Sequence, residues 1–210
     1  MAVLTYLEAI RLAMLEEMER DPRVFVIGED VGAYGGAFRV TAGFLEKFGE
    51  ARVIDTPVSE SAIVGAAIGA ALMGMRPIAE MQFIDFISCA YDMLTNYVAT
   101  ARYRAGLPTP MVVRGPCGGY VRGGPFHSQN PEAAFLHTPG LKIVYPATAR
   151  DAKGLIKSSI RDDDPVIYLE HKWLCRRIKE TLPEGDELLT PIGAARLARE
   201  GKQLSIVTYG

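Results

Sequence analysis

Short apolar runs and helix-patterned stretches alternate along this chain, and that alternation constrains the fold more than any single motif. Residues 23–27 (RVFVI), 53–54, 78–82, 111–114 (MVVR), 142–145 and 166–170 read as buried strands. Between them lie helical patterns. Thr5 and Glu8 have capping-box spacing, and Leu7, Ile10, Met14 and Met18 then mark one helical face. Residues 44–48 form a short helical stretch closed by Gly49, and 86–102 and 149–160 carry helical spacing. Such a chain predicts an α/β fold, a parallel sheet with helices on both faces, because parallel neighbours need a crossover that a helix supplies. Ligands in such sheets bind outside the carboxyl ends of the strands.

The composition is that of an ordinary globular protein, 49% hydrophobic and 23% charged. A net charge of −2 gives no footprint for nucleic acid or an acidic membrane surface. Arg176, Arg177 and Lys179 read as a solvated face. Cys89, Cys117 and Cys175 are too far apart for metal spacing and odd in number for a disulfide framework, which points to a reducing compartment. The start, MAVLTYLEAI, lacks a signal-peptide pattern. The longest apolar run, 62–75, falls short of the ~20 residues a membrane span needs. A cytoplasmic location is expected.

Residues 1–182 read as one domain and 183–191 (PEGDELLTP) as a linker. Residues 192–210, a helical stretch and then the strand pattern QLSIVTYG, read as the start of a second domain.

The segment 55–77, DTPVSESAIVGAAIGAALMGMRP, sets Glu60 at the mouth of a helix made almost wholly of small residues. Gly65 and Gly69 leave a face that another backbone can approach closely, at a cost in helix propensity. Two readings stay open here. Glu60 is either a first-turn acid favoured by the helix dipole over a buried core helix, or a carboxylate placed for chemistry.

Two glycine-rich loops follow strands. Gly28, Gly32, Gly35 and Gly36 do not have dinucleotide spacing, and the loop 115–132 lacks the GK[ST] of a phosphate-binding loop. No DxD-like metal ligands stand beside either, so the phosphates of a phosphorylated cofactor would be held by another chain. No GxSxG elbow is present. In the second loop Gly123 and Gly124 permit close approach, and His127 is flanked by Ser128 and Gln129. His127 is then an acid–base group near neutral pH or a satisfied loop histidine. His137 and His171 read as structural.

Five segments, GEDVGAYGGAFRVT (28–41), DTPVSESAIVGAAIGAALMGMRPIAE (55–80), MQFIDF (81–86), HSQNPEA (127–133) and PGLKIVYPATARDAKGLIKSSIRDDDPVIYLE (139–170), occur in this order and spacing. Together they resemble the beta subunit of the thiamine-diphosphate-dependent decarboxylating component of 2-oxo acid dehydrogenase complexes. The resemblance covers residues 4–182. It implies a thiamine-diphosphate-binding fold, the transketolase-like pyrimidine-binding domain, truncated before most of a C-terminal α/β domain. It also implies that Glu60 bonds a ring nitrogen of the cofactor's aminopyrimidine and drives the tautomer shift that activates it. By the same match Phe86 stacks on that ring, and Glu29, Val58, Ser59 and Gln82 line the cofactor. His127 matches the histidine that steers transfer to a lipoyl group.

A potassium ion is implied at Met111, Ser159, Ile160, Asp162 and Asp164, although RDDDP also reads simply as a helix-ending polar turn. Magnesium is expected mainly on a partner alpha subunit, in an assembly of two alpha and two beta chains, with a lipoyl acyltransferase core as further partner. The small-residue helix would pack against the partner subunit. The substrate expected first is a branched-chain 2-oxo acid, then pyruvate. An acetoin dehydrogenase subunit and a non-catalytic assembly partner are the alternatives, and intact Glu60, Phe86 and His127 count against the latter.

Overall fold

The computed structural model describes residues 2–183 and 188–210. Strand β1 (Ala2–Thr5) leads into helix α1 (Tyr6–Arg20), followed by β2 (Val24–Gly28), α2 (Phe44–Phe48), β3 (Val53–Asp55), α3 (Glu60–Leu72) and β4 (Arg76–Glu80). A 3₁₀ segment (Ile84–Ala90), a π segment (Met93–Val98) and α4 (Ala99–Ala105) bring the chain to β5 (Val112–Cys117). A 3₁₀ turn (Gly124–His127), α5 (Glu132–Leu136), β6 (Lys142–Val144), α6 (Ala149–Arg161), β7 (Val166–His171) and β8 (Lys179–Leu182) complete the order.

Six strands form one sheet in the order β3-β2-β4-β5-β7-β6, every pair parallel. Alternate side chains of β2 enter two different cores. Val24 and Val26 pack with Ile10, Met14 and Ile156 of α1 and α6, while Phe25 and Ile27 pack with Ile63, Val64 and Ala67 of α3. Both faces are therefore buried, as the continuous apolar runs predict. The capping box at Thr5 forms, with the Glu8 N–H donating to the Thr5 hydroxyl and the Thr5 N–H to the Glu8 carboxylate. Lys153 and Lys157 of α6 are fully buried, and each ammonium lies 2.7 Å from a carboxylate oxygen of Glu16 on α1.

From β2 the chain steps to one side to form β3, then crosses back to the other side to form β4. This reversal makes the gap between the carboxyl ends of β2 and β4 the topological switch point, the place where sheets of this kind bind ligands. Gly28 and Glu80 are paired there, and a Cβ on Gly28 would stand 2.8 Å from the Glu80 carbonyl oxygen.

Three features differ from the sequence reading. The stretch 86–102 is not one helix but successive 3₁₀, π and α turns. Ser88, Thr95 and Thr100 return hydrogen bonds to carbonyls three or four residues back, which loosens regular α geometry. Strands β1 and β8 pair antiparallel outside the main sheet; each has only four residues and no apolar alternation to announce it. Over 192–210 no helix or strand forms, and Leu204, Ile206 and Val207 stay exposed, because no strand among the described residues pairs with them. Within the expected linker, residues 184–187 lie outside the described residues.

Candidate active site

The site assembles at the switch point. Glu29 follows β2 and is 8% exposed, yet its Oε1 has no hydrogen-bond partner. Burial pushes its pKa up, the neighbouring Glu60 carboxylate adds to that, and the Ser59 backbone N–H partly offsets both. Asp55, closing β3, accepts from the Gly32 N–H at 2.6 Å and ties the first glycine loop to the strand end. A Cβ on Gly32 would stand 2.5 Å from the Asp55 carboxylate, so a larger residue there would push that carboxylate off the loop.

Glu60 is the first residue of α3 and is half-buried. The N-cap Ser59 gives no side-chain hydrogen bond to the helix, so its hydroxyl is not spent on capping. Val58 just before it is 80% exposed. Gln82, beyond β4, donates through Nε2 to Asp30 at 2.8 Å, bridging the ends of β2 and β4.

His127 stands on the same edge. Its ring lies 4.3 Å from Phe83 and 5.6 Å, edge-on, from Phe86. Its Nδ1 is buried with no partner. A Cβ on Gly123 would come within 2.6 Å of the His127 Cβ, which explains the first of the two glycines; Gly124 supplies a φ of +70°. The loop thus brings His127 beside Phe83 and Phe86, while Gln82 links Phe83 back to Asp30 and Glu29.

The five residues of the implied ion site lie at the opposite, amino-terminal edge. There the carbonyls of Ile160 and Asp162 accept from Arg76 at 3.0 and 2.9 Å, and the Asp162 carboxylate holds Lys142 at 2.8 Å. The Met111 carbonyl accepts from the Val166 N–H, and Ser159 bonds the Leu155 carbonyl. Arg76 and Lys142 already serve the Ile160 and Asp162 oxygens and a backbone N–H serves Met111, so at those oxygens an alkali ion would have only the second lone pairs. Among the described residues no group of three His, Cys, Asp or Glu side chains is placed to hold a metal.

Several groups at the carboxyl edge are not evident from the sequence. Glu80, Arg114 and Glu170 form a buried triad across β4, β5 and β7, with Arg114 bonded to both carboxylates. Burial alone pushes Arg114 down, but Glu170 and Glu80 outweigh it and hold it above its ordinary value. Burial raises Glu80 despite Arg114. Phe83, Asp85 and Lys172 surround the His127 loop and were not singled out. In each of the three strands a charge follows apolar residues (IAE, VVR, YLE), which is a legible signal of the triad.

Residues 2–177 match the family "Transketolase, pyrimidine binding domain". The chain is 56% identical over 212 residues to the 2-oxoisovalerate dehydrogenase subunit beta of Bacillus subtilis, covering 100% of this chain and 64% of that one. It is 47% identical to the mitochondrial 2-oxoisovalerate dehydrogenase subunit beta 2 of Arabidopsis thaliana, covering 96% and 57%. With the pyruvate dehydrogenase E1 component subunit beta of Staphylococcus aureus it shares 45%, covering 100% and 65%. The chain thus spans less than two thirds of the length of these relatives. A solved structure described as a split-gene transketolase, an inactive beta4 tetramer, has a TM-score of 0.64 at 18% identity over 79% of this chain and 50% of that one, a likeness of fold alone. With a parallel sheet, a switch-point site and a family match running from β1 almost to β8, this chain belongs to the transketolase pyrimidine-binding domain family.

Proposed function

We propose that this chain supplies the pyrimidine-side half of a thiamine diphosphate site, as part of the beta subunit of a 2-oxo acid dehydrogenase that transfers the acyl group to lipoamide. One observation carries the reading: a half-buried carboxylate, Glu60, opens a small-residue helix beside a second, buried carboxylate with an orphaned oxygen, Glu29. Thiamine diphosphate, when bound, supplies the nucleophilic carbon that decarboxylates the 2-oxo acid. Glu60 would share a proton with a pyrimidine ring nitrogen, with the Glu29 carboxylate beside it. Phe86 offers an aromatic surface to the ring. Val58, Ser59 and Gln82 line the same site, and His127 serves the acyl-transfer step.

The residues fit a pyrimidine better than a diphosphate, so magnesium and the phosphates fall to an alpha subunit, in an assembly of two alpha and two beta chains served by a lipoyl acyltransferase core. A potassium ion at Met111, Ser159, Ile160, Asp162 and Asp164 is a subsidiary part of the proposal. Residues 192–210 would begin a further α/β domain. No helix among the described residues is long and apolar enough to cross a membrane, and a cytoplasmic location is proposed.

A branched-chain 2-oxo acid is the preferred substrate, supported by 56% identity to a 2-oxoisovalerate dehydrogenase subunit against 45% to a pyruvate dehydrogenase subunit. The test is the full-length protein reconstituted with its alpha subunit and assayed on 3-methyl-2-oxobutanoate and on pyruvate. Higher kcat/KM on the branched acid is expected. Preference for pyruvate would shift the reading to the second substrate, and no cofactor-dependent turnover on either would leave a scaffold.

A further inference from the structure

The peptide bond that follows His127 is gripped at both of its polar ends by buried charges. Lys172, one residue past β7 and 2% exposed, donates from Nζ to the His127 carbonyl oxygen. Asp85, 4% exposed within the 3₁₀ segment, accepts at Oδ1 from the Ser128 N–H at 3.0 Å. The same oxygen accepts from the Gln129 N–H, also at 3.0 Å. The His127 carbonyl and the Ser128 N–H belong to one peptide plane, so a cation and an anion fix that plane from opposite sides.

Neither charge is a random burial. Lys172 lies 4.9 Å from the centroid of Phe83, the ring against which the imidazole packs. Burying either ion costs free energy that its partners must offset. The other hydrogen bonds of the loop, from the Gly118 N–H to the Gln129 carbonyl at 2.9 Å and from Gln129 Nε2 to the Pro125 carbonyl at 3.1 Å, do not touch the His127–Ser128 peptide, and no residue of the 3₁₀ turn is buried. Rotation of the His127–Ser128 peptide would change the His127 ψ and swing the imidazole off Phe83 and Phe86.

We propose that Asp85 and Lys172 are positioning residues for His127, clamping the His127–Ser128 peptide so that the imidazole keeps one direction in the site. The proposal rests on the reading of His127 as the acyl-transfer group. Misplacing an acting group by about an ångström costs on the order of a hundredfold in rate, so the clamp matters only if His127 acts.

Two measurements on the reconstituted full-length enzyme separate the clamp from that reading. Amide hydrogen exchange of Ser128 and Gln129 should be slow in the wild type and speed at least tenfold in Asp85→Ala, with exchange in β4 and β5 unchanged. Unaltered Ser128 exchange would overturn the clamp whatever His127 does. The second measurement is a double-mutant cycle on lipoamide-dependent turnover, read as a ratio to turnover with an artificial electron acceptor. Lys172→Met should lower that ratio roughly 10–100-fold in the wild type and less than about twofold in a His127→Ala background, because residues acting as one unit are not additive. Lys172→Arg should restore part of the loss. Equal losses in both backgrounds, or none in the wild type, would overturn the positioning role. A wild-type ratio in His127→Ala alone would instead overturn the reading of His127, with the exchange result standing separately. If Asp85→Ala does not fold, Asp85→Leu removes the acceptor oxygens with the side-chain volume better kept, and gives the same exchange test.

Discussion

At the amino-terminal edge of the sheet, the turn before β7 holds three consecutive carboxylates, and each meets a cation. Asp162 pairs with Lys142, Asp163 with Arg76, and Asp164 with Arg102 and Lys142. At the carboxyl edge Glu29, Asp85 and Glu132 each keep a buried oxygen without a partner, and His127 and His171 each keep a buried ring nitrogen likewise. Among the described residues every titratable orphan stands at that one edge. An unsatisfied buried polar atom costs on the order of 1–3 kcal/mol. At the amino-terminal edge only the Thr109 hydroxyl among the described residues is left so, and it carries no charge. That difference is what the proposed ligand site at the carboxyl edge would produce, with a bound ligand partnering groups that the fold itself does not pair.

The largest effect is expected from Glu60→Gln. An amide cannot share a proton with the pyrimidine ring, so turnover of the reconstituted enzyme should fall at least ~10²–10⁴-fold, the usual contribution of a lost acid–base group. Circular dichroism and thermal unfolding should stay close to wild type. Turnover within a few-fold of wild type would remove Glu60 from the chemistry.

Next in size is the contrast between the two kinds of ion pair. Arg114→Met leaves Glu80 and Glu170 buried beside each other without their cation and should cost about 3–5 kcal/mol in denaturant unfolding. Asp163→Asn breaks an exposed pair at the other edge and should cost less than ~1 kcal/mol. Comparable losses would mean that the triad is far better solvated than its burial indicates.

The smallest effects are in the pH dependence, where the two edges should have opposite sign. Burial raises the Glu29 pKa, with Glu60 adding to it. Its contribution to stability is thus present below the ordinary carboxyl range and lost as pH rises through the raised value. For Asp164, burial acts upward but the bonds to Arg102 and Lys142 outweigh it and lower the pKa. Its contribution is present above the ordinary range and lost as pH falls through the lowered value. Glu29→Gln should therefore stabilise the protein slightly at neutral pH, and Asp164→Asn should soften the loss in acid. Urea midpoints measured between pH 3 and 8 would reveal both, and the same sign for the two variants would contradict the contrast.

Much of this was legible in the sequence because it is local. The Thr5–Glu8 box, the 44–48 helix closed by Gly49 and the buried strands follow from short-range spacing, and each formed. Glu60 and the small-residue helix were equally visible. What escaped depends on distant parts of the chain. Asp85 sits inside an apolar segment that resembles a helix, and its hydrogen bonds go to residues more than forty positions away. Lys172 looks like a surface lysine until β7 carries it under the His127 loop. The β1–β8 ladder joins distant segments with no periodicity in either. A lone acid within FIDFI was a usable hint of Asp85; nothing comparable announced Lys172.

The most direct test of the central claim, that the carboxyl edge is one half of a thiamine diphosphate site, is calorimetry of the full-length protein with thiamine diphosphate and magnesium, first alone and then with its alpha subunit. This chain offers a pyrimidine-side carboxylate and an aromatic ring, and charged phosphates left without partners are costly to bury. The account predicts negligible heat from the isolated chain and tight, saturable binding once the alpha subunit is present, weakened by Glu60→Gln. Micromolar binding accompanied by 2-oxo acid decarboxylation in the isolated chain would contradict it.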